Sequence, residues 1–137
     1  MKILVVHRQK DIVNAIKSVL SGRNPVVLQT ESGLDGLLTS RIEHFDLIIC
    51  GTDLPVVTGF ELVRSIRTNS VNRFTPVILL SDNVDTKMEY LGKALNVAAM
   101  LTMDEVEARL EHIVQESVQT QPDKVWVELV SQPIKLN

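Results

Sequence analysis

Residues 47–63 read LIICGTDLPVVTGFELV, and this stretch decides how the chain folds. Its first four residues are all apolar, which is typical of a strand that is buried on both faces of a parallel sheet. Gly51 ends the apolar run, Pro55 interrupts regular structure, and apolar residues at helical spacing follow Gly59. The stretch therefore predicts a buried strand, a loop and a helix, which together form the building unit of a parallel sheet.

Similar units flank this stretch on both sides. Short apolar runs predict four further strands, at 3–6, 26–28, 77–80 and, more weakly, 98–101. Helical periodicity predicts a helix between each pair of strands and one at the end; Gly22 is predicted to stop the first helix. In the second helix one apolar stripe is predicted, and it consists of Leu34, Leu37, Leu38 and Ile42. Five strands alternating with five helices predict an α/β fold with helices on both faces of the sheet.

Composition limits the class of protein. With 137 residues the chain is about one domain long, and its 45% apolar and 23% charged residues are ordinary for a globular protein. The net charge is -3 and basic residues are not clustered, so nucleic-acid binding is not expected. The single cysteine, Cys50, excludes an intramolecular disulfide and is interpreted as a buried apolar residue. The N-terminal apolar run is too short for a signal peptide or a membrane span, and a cytoplasmic protein is predicted.

The same central stretch closely resembles the middle of a response-regulator receiver domain (a CheY-like domain). Asp46, Pro55 and Gly59 fall on characteristic positions of that family. The aspartate that accepts the phosphoryl group in the family falls on Gly51. The chain is therefore interpreted as a pseudo-receiver, a receiver that lacks the phosphoacceptor.

The resemblance covers residues 2 to about 119 without large gaps. It implies a flavodoxin-like, doubly wound, five-stranded parallel sheet in the order 2-1-3-4-5, and a role in two-component, or phosphorelay, signal transduction. In that order the first and third strands end side by side, where such folds bind ligands. Residues 1–119 are predicted to form the receiver-like domain. Residues 120–137 are predicted to be a C-terminal extension that adds an edge strand or links to an output domain.

The resemblance also implies which residues form the phosphorylation pocket, and most are substituted. Family members carry two metal-binding carboxylates after the first strand, where this chain has His7 and Arg8. The lysine that follows the fifth strand in the family corresponds to Met103, and only the hydroxyl residue after the fourth strand is kept, as Ser81. Because divalent metals need anionic oxygens, this pocket is predicted to be neutral or positive and to hold neither a metal nor a cofactor.

Simpler interpretations of these residues are favoured over new chemistry. His7 is interpreted as a loop histidine, and Ser81 as a cap of the turn that follows it. Arg8 is interpreted as solvated or paired with Asp53. Asp53 lies two residues past the acceptor position, and phosphorylation there is a less favoured alternative because the loop should direct its side chain elsewhere.

The favoured hypothesis is a phosphorylation-independent protein-interaction module without enzymatic activity. Its partner would be a histidine kinase, another signalling regulator or a second copy, and neither nucleic acid nor membrane is expected to bind. Receivers communicate through the fourth helix, fifth strand and fifth helix, which implies a contact face that includes Met88, Tyr90, Leu91, Met100, Val106 and Arg109. A gap-filling core role is an equal alternative for Met100.

Two other hypotheses remain. One is a phosphotransfer switch that uses a substitute acceptor such as Asp53. The other is a small-molecule-binding α/β domain or an enzyme, since a fold does not dictate a function. The sequence disfavours this last hypothesis because it contains neither a glycine-rich phosphate loop nor a nucleophile with an adjacent base.

Overall fold

Strands and helices alternate along the chain in the computed structural model, which describes residues 1–68 and 70–119. The strands are β1 (Lys2–Val6), β2 (Val26–Thr30), β3 (Leu47–Gly51), β4 (Val77–Ser81) and β5 (Ala99–Thr102). The helices are α1 (Lys10–Val19), α2 (Gly33–Ile42), α3 (Gly59–Thr68), α4 (Thr86–Ala94) and α5 (Glu105–Gln119). All strand pairs are parallel and the order is β2-β1-β3-β4-β5, which confirms the predicted topology. The predicted C-terminal extension, residues 120–137, lies outside the described residues.

Strand β3 is the centre of the sheet and is buried along its whole length. Its side chains alternate between the two faces, as in any β-strand. Leu47 and Ile49 join one apolar cluster with residues of α1 and α5, whereas Ile48 and Cys50 join a second cluster with residues of α3. The sheet is thus covered on both faces, as the continuous apolar run predicted. No helix within residues 1–68 and 70–119 has the length and apolar character needed to cross a membrane.

The end of α1 differs from the prediction. Gly22 does not stop this helix. The helix ends at Val19, and a short 3₁₀ turn, Ser21–Arg23, follows it. The left-handed residue after that turn is Asn24, with a φ of 50°. Asparagine tolerates this conformation because its short polar side chain can bond locally.

The apolar stripe predicted for α2 does not face the core as a whole. The residues that pack against the sheet are small, and Gly36 lies so close to β1 that a Cβ atom on it would stand 2.8 Å from Cγ2 of Val6. Leu37 is the only member of the stripe that packs against the core cluster. Because small residues occupy the side of α2 that faces the sheet, the other three side chains lie on its outer side. Their exposed fractions are 48% for Leu34, 52% for Leu38 and 80% for Ile42.

One buried amide joins the end of α2, the segment before β3 and the loop before β4. Asn72 is fully buried and accepts a hydrogen bond from the backbone N–H of Phe45, over 2.7 Å. Its Nδ2 donates to the carbonyls of Ser40 (2.6 Å) and Glu43 (2.8 Å) at the end of α2. Since buried backbone groups need partners, this side chain sets the position of the loop at residues 70–75.

Replacing this amide should destabilise the fold. In Asn72→Ala the N–H of Phe45 and two carbonyls lose their partner, and we expect the free energy of unfolding to fall by about 2 kcal/mol. Urea denaturation of the two proteins measures this difference. The matched control is Asn83→Ala, at an exposed asparagine, which should change stability by less than about 0.5 kcal/mol. Equal effects of the two substitutions would contradict the bridging role of Asn72.

Candidate functional site

A cleft of about 500 Å³ opens at the carboxyl ends of the strands. Strands β1 and β3 end side by side there, with Val6 paired with Cys50, and β4 ends next to them. This is the position at which doubly wound sheets bind ligands. The structure brings together in the lining all six residues predicted for the pocket, namely His7, Arg8, Gly51, Asp53, Ser81 and Met103.

The side chain of His7 fills the space above Gly51. The residue directly follows β1 and is only 7% exposed, so the interpretation as a loop histidine understated its burial. A Cβ atom built on Gly51 would stand 3.0 Å from Cδ2 and 3.3 Å from Nε2 of the imidazole. Any side chain at position 51 would therefore compete with the histidine ring for the same volume. The two residues form one packed pair across neighbouring strands.

Hydrogen bonding and burial favour the neutral form of His7. Its Nδ1 accepts a hydrogen bond from the backbone N–H of Gln9 over 3.0 Å, which assigns the ring proton to Nε2. Burial, the larger effect, lowers the pKa of His7, and the carboxylate of Asp82 acts in the opposite direction. Protonation would place a second proton on Nδ1 and break the bond from Gln9. The cleft therefore has a neutral N–H donor at its floor.

Asp53 lies at the rim of the cleft and not at its floor. Its side chain is 95% exposed, and its nearest cation is Arg8, at 3.9 Å between Oδ2 and Nη1. An ion pair this long and this exposed contributes little to stability. Arg8 was predicted to be either solvated or paired with Asp53. In the structure it is both, because the pair is long and exposed to solvent.

Asp82 was missed by the sequence analysis although it lines the cleft. One arginine and the two aspartates give the lining a formal charge of -1 with His7 neutral, so the predicted neutral or positive pocket was wrong. The position of Asp82, directly after β4, was the available signal, because strand ends meet at this edge of the sheet. The carboxylates nevertheless stay apart. Within the described ranges no three histidine, cysteine, aspartate or glutamate side chains could together hold a metal ion.

The remaining predicted pocket residues serve local structure. The hydroxyl of Ser81 donates to the carbonyl of Asn83 over 2.8 Å and caps the turn, as predicted. Met103 packs against the cluster that includes residues of α1 and α5. Burial raises the pKa of Cys50 to about 12, so this thiol next to the cleft is held in its unreactive form.

The loop from β3 to α3 is closely packed and locally strained. A Cβ on Gly59 would lie 2.2 Å from the carbonyl oxygen of Gly51, so only glycine fits. Thr58 and Glu61 exchange hydrogen bonds with each other's backbone N–H and form a capping box for α3. Val56 has a φ of 67° in a γ-turn closed by a 2.7 Å bond from the N–H of Val57, a strained conformation for a β-branched residue.

The contact face predicted from the resemblance is only partly accessible. Tyr90 and Arg109 are exposed, and Arg109 pairs with Glu105 one turn earlier in α5. The half-buried members are Met88, Leu91 and Met100, and the last of these packs against the core, close to Gly92 of α4. Val106 is 1% exposed and belongs to the core, so its inclusion in a contact face was wrong. Helical spacing alone predicts one inward stripe on α5, and the burial of its members, Val106, Leu110, Ile113 and Val114, confirms it.

The pKa of His7 should make stability depend on pH in a defined direction. Because the folded-state pKa lies below the ordinary value of 6.5, the neutral ring stabilises the fold fully above pH 6.5, and this contribution is lost as the pH falls through 6.5 toward the folded-state pKa. We expect the free energy of unfolding to fall more between about pH 7.5 and pH 5.5 in the wild type than in His7→Gln. Urea denaturation at both pH values measures the difference. His44→Gln, at an exposed histidine, is the control and should keep the wild-type pH dependence; a wild-type dependence in His7→Gln would contradict the assignment.

Comparison with known proteins places this geometry in a family. The family description "Response regulator receiver domain" matches residues 3–115. The cell cycle response regulator CtrA of Brucella ovis is 26% identical over 121 residues, which cover 85% of this chain and 51% of the relative. The chain thus spans about half the length of the curated relatives it matches.

Solved structures share the fold. Chemotaxis protein CheY4 of Vibrio cholerae superposes with a TM-score of 0.70 at 26% identity, over 82% of this chain and 97% of that one. The receiver domain of a Pseudomonas aeruginosa sensor histidine kinase, which has a magnesium ion in its own cleft, gives 0.76 at 22% identity over 87% and 98%. Because this identity is low, the similarity to that structure supports the fold alone. Because the family match extends over most of the sequence and the strand order agrees, the chain belongs to the response regulator receiver domain family.

Proposed function

We propose that this receiver domain acts in two-component signal transduction as a protein-interaction module whose state does not depend on phosphorylation. One observation carries the proposal: the imidazole of His7 occupies the volume that a side chain at position 51 would need. Position 51 ends the central strand β3, where the family resemblance locates the phosphoacceptor. In this chain that position has no side-chain oxygen, and its space is used for packing.

The charges around the cleft support the same conclusion. Phosphoryl transfer to a carboxylate requires compensation of the phosphoryl charge, which oxygen-bound divalent cations supply. The cleft contains two carboxylates, but Asp53 is directed into solvent beside Arg8, whereas Asp82 acts on His7 from the next loop. Separated carboxylates with an arginine close to one of them do not form the compact anionic site that a divalent cation needs.

A module of this kind would signal through its surface. Without a phosphoryl group to change its conformational equilibrium, the distribution of states would be set by the sequence or by a bound partner. The second candidate function is phosphotransfer to Asp53, which is favoured only by the accessibility of its carboxylate. The experiment below distinguishes the two.

Phosphodonor labelling tests the proposal directly. Incubated with acetyl phosphate and Mg²⁺, the wild-type chain should show no phosphoryl adduct by intact-protein mass spectrometry, because residue 51 offers no acceptor oxygen. The positive control combines His7→Asp, Arg8→Asp, Gly51→Asp and Met103→Lys, which returns the family's residues to the cleft; a variant that folds should be labelled. Labelling of the wild type that disappears in Asp53→Ala would refute the proposal and establish the second candidate.

The contact between residues 7 and 51 can be tested by a double-mutant cycle. Gly51→Asp alone should lower the free energy of unfolding because its side chain meets the histidine ring. In the background of His7→Ala the same substitution should cost less, with a coupling energy of about 1–3 kcal/mol. Urea denaturation of the four proteins gives this value. Additive effects would show that the two positions do not share a volume.

A further inference from the structure

The large exposed apolar side chains are concentrated on one side of the molecule. Nine such residues occur in the described part of the chain. Six of them belong to α2, to the loop between β3 and α3 or to the loop between α3 and β4, and two, Val26 and Leu28, belong to the edge strand β2. By contrast, α4 contributes one, Tyr90, and α5 none. We call the following six residues the α2 ridge: Leu34, Leu38, Ile42, Val56, Val71 and Phe74.

The ridge is continuous along α2. Its three helical members are spaced four residues apart and so follow one stripe about 12 Å long. At the first end, the carbonyl oxygen of Val57 would lie 2.0 Å from a Cβ on Gly33, so the loop that carries Val56 touches the start of the helix. At the other end, the side chain of Asn72 bonds the carbonyls of Ser40 and Glu43, which holds the loop that carries Val71 and Phe74 against the end of the helix.

The geometry of both loops is fixed by specific bonds. The guanidinium of Arg67 donates to the carbonyls of Arg73 (3.1 Å) and Thr75 (2.7 Å), and these bonds anchor the loop at residues 70–75 a second time. Val56 is 90% exposed although its γ-turn conformation is unfavourable for valine. Exposed apolar side chains on an ordered backbone can bind a partner at a low cost in conformational entropy.

The charged side chains at the end of the ridge formed by Val71 and Phe74 are positive. Arg41, Arg73, Val71 and Phe74 line a shallow cleft of about 620 Å³, and the guanidinium of Arg73 lies 5.1 Å from the centre of the Phe74 ring. Neither arginine forms an ion pair with a carboxylate among residues 1–68 and 70–119. Arginine and aromatic side chains next to apolar area are the typical composition of a binding hot spot. Carboxylates on a partner would complement this end.

We propose that the α2 ridge binds an amphipathic helix of a signalling partner. The helix would present an apolar stripe of about three turns to α2 and carboxylates to Arg41 and Arg73. A second copy fits less well, because a two-fold interface would set the same arginine-bearing end against itself or against apolar residues. This inference rests on the proposed function in that the chain acts by binding, and it locates the contact on α2 instead of the face implied by the family resemblance.

Two labelled helical peptides test the charge complementarity. Each has about fifteen residues with leucines at helical spacing, and the other positions are mainly glutamate in one and mainly lysine in the other. Measured by fluorescence anisotropy on the full chain, the glutamate peptide should bind at least about tenfold more tightly. The preference should disappear in Arg41→Ser/Arg73→Ser and persist in the control Lys87→Ser/Lys93→Ser on α4. Equal affinity for both peptides, or no binding of the glutamate peptide, would overturn the proposal.

Ridge substitutions test the location. Leu38→Ser/Phe74→Ser should weaken binding of the glutamate peptide at least about tenfold, whereas Tyr90→Ser should not. Tyr90 is a matched control because it is 76% exposed, compared with 69% for Phe74, and lies on α4. An equal loss in Tyr90→Ser would place the peptide elsewhere and refute the proposal.

Two further results would assign the ridge to another occupant and overturn the proposal. One is a dimer of the wild type, measured by light scattering, that the ridge variant abolishes. The other is a change in the emission of Trp126, the chain's single tryptophan, in the ridge variant, which would indicate that residues 120–137 bind there. These binding assays use neither Mg²⁺ nor a phosphodonor. If they contradict the α2 ridge as a binding site, the result of the phosphodonor experiment, and with it the proposed function, is unaffected.

Discussion

The contact between the imidazole of His7 and the backbone of Gly51 is the constraint on which the chemistry of this molecule depends. Parallel pairing of β1 with β3 brings the ends of the two strands to the same edge, so the residues that follow must share one volume. A large ring at one position requires a small residue at the other. A receiver fold can thus have a well-packed strand end with glycine at position 51.

The packing of α2 links the core to the surface in a similar way. Because Gly36 and Ser40 face the sheet, the helix approaches Val6 closely, and its leucines lie on the outer side. Apolar area left in water loses about 25 cal/mol per Å² of potential stabilisation, so an ordered ridge of this kind has a free-energy source for binding. The choice of small residues inside the fold therefore determines the surface outside it.

Much of the fold could be predicted from the sequence because buried parallel strands are continuous apolar runs. Strand β3 and its end at Gly51 follow from residues 47–63 alone, whereas the strand order and the pocket residues are what the resemblance to receiver domains implies. The burial of His7 and the outward side of α2 could not be derived. Each depends on the distance between two elements far apart in sequence, and periodicity carries no information about that distance.

The sequence by itself determined the alternation of strands and helices, the family and the absence of a carboxylate at position 51. These are properties of local pattern and residue type, which every copy of the chain has before it folds. Only the tertiary structure decided that His7 fills the volume above Gly51 and that Leu34, Leu38 and Ile42 face solvent. Packing settles such questions because close-packed side chains compete for space with neighbours that the chain brings together only on folding.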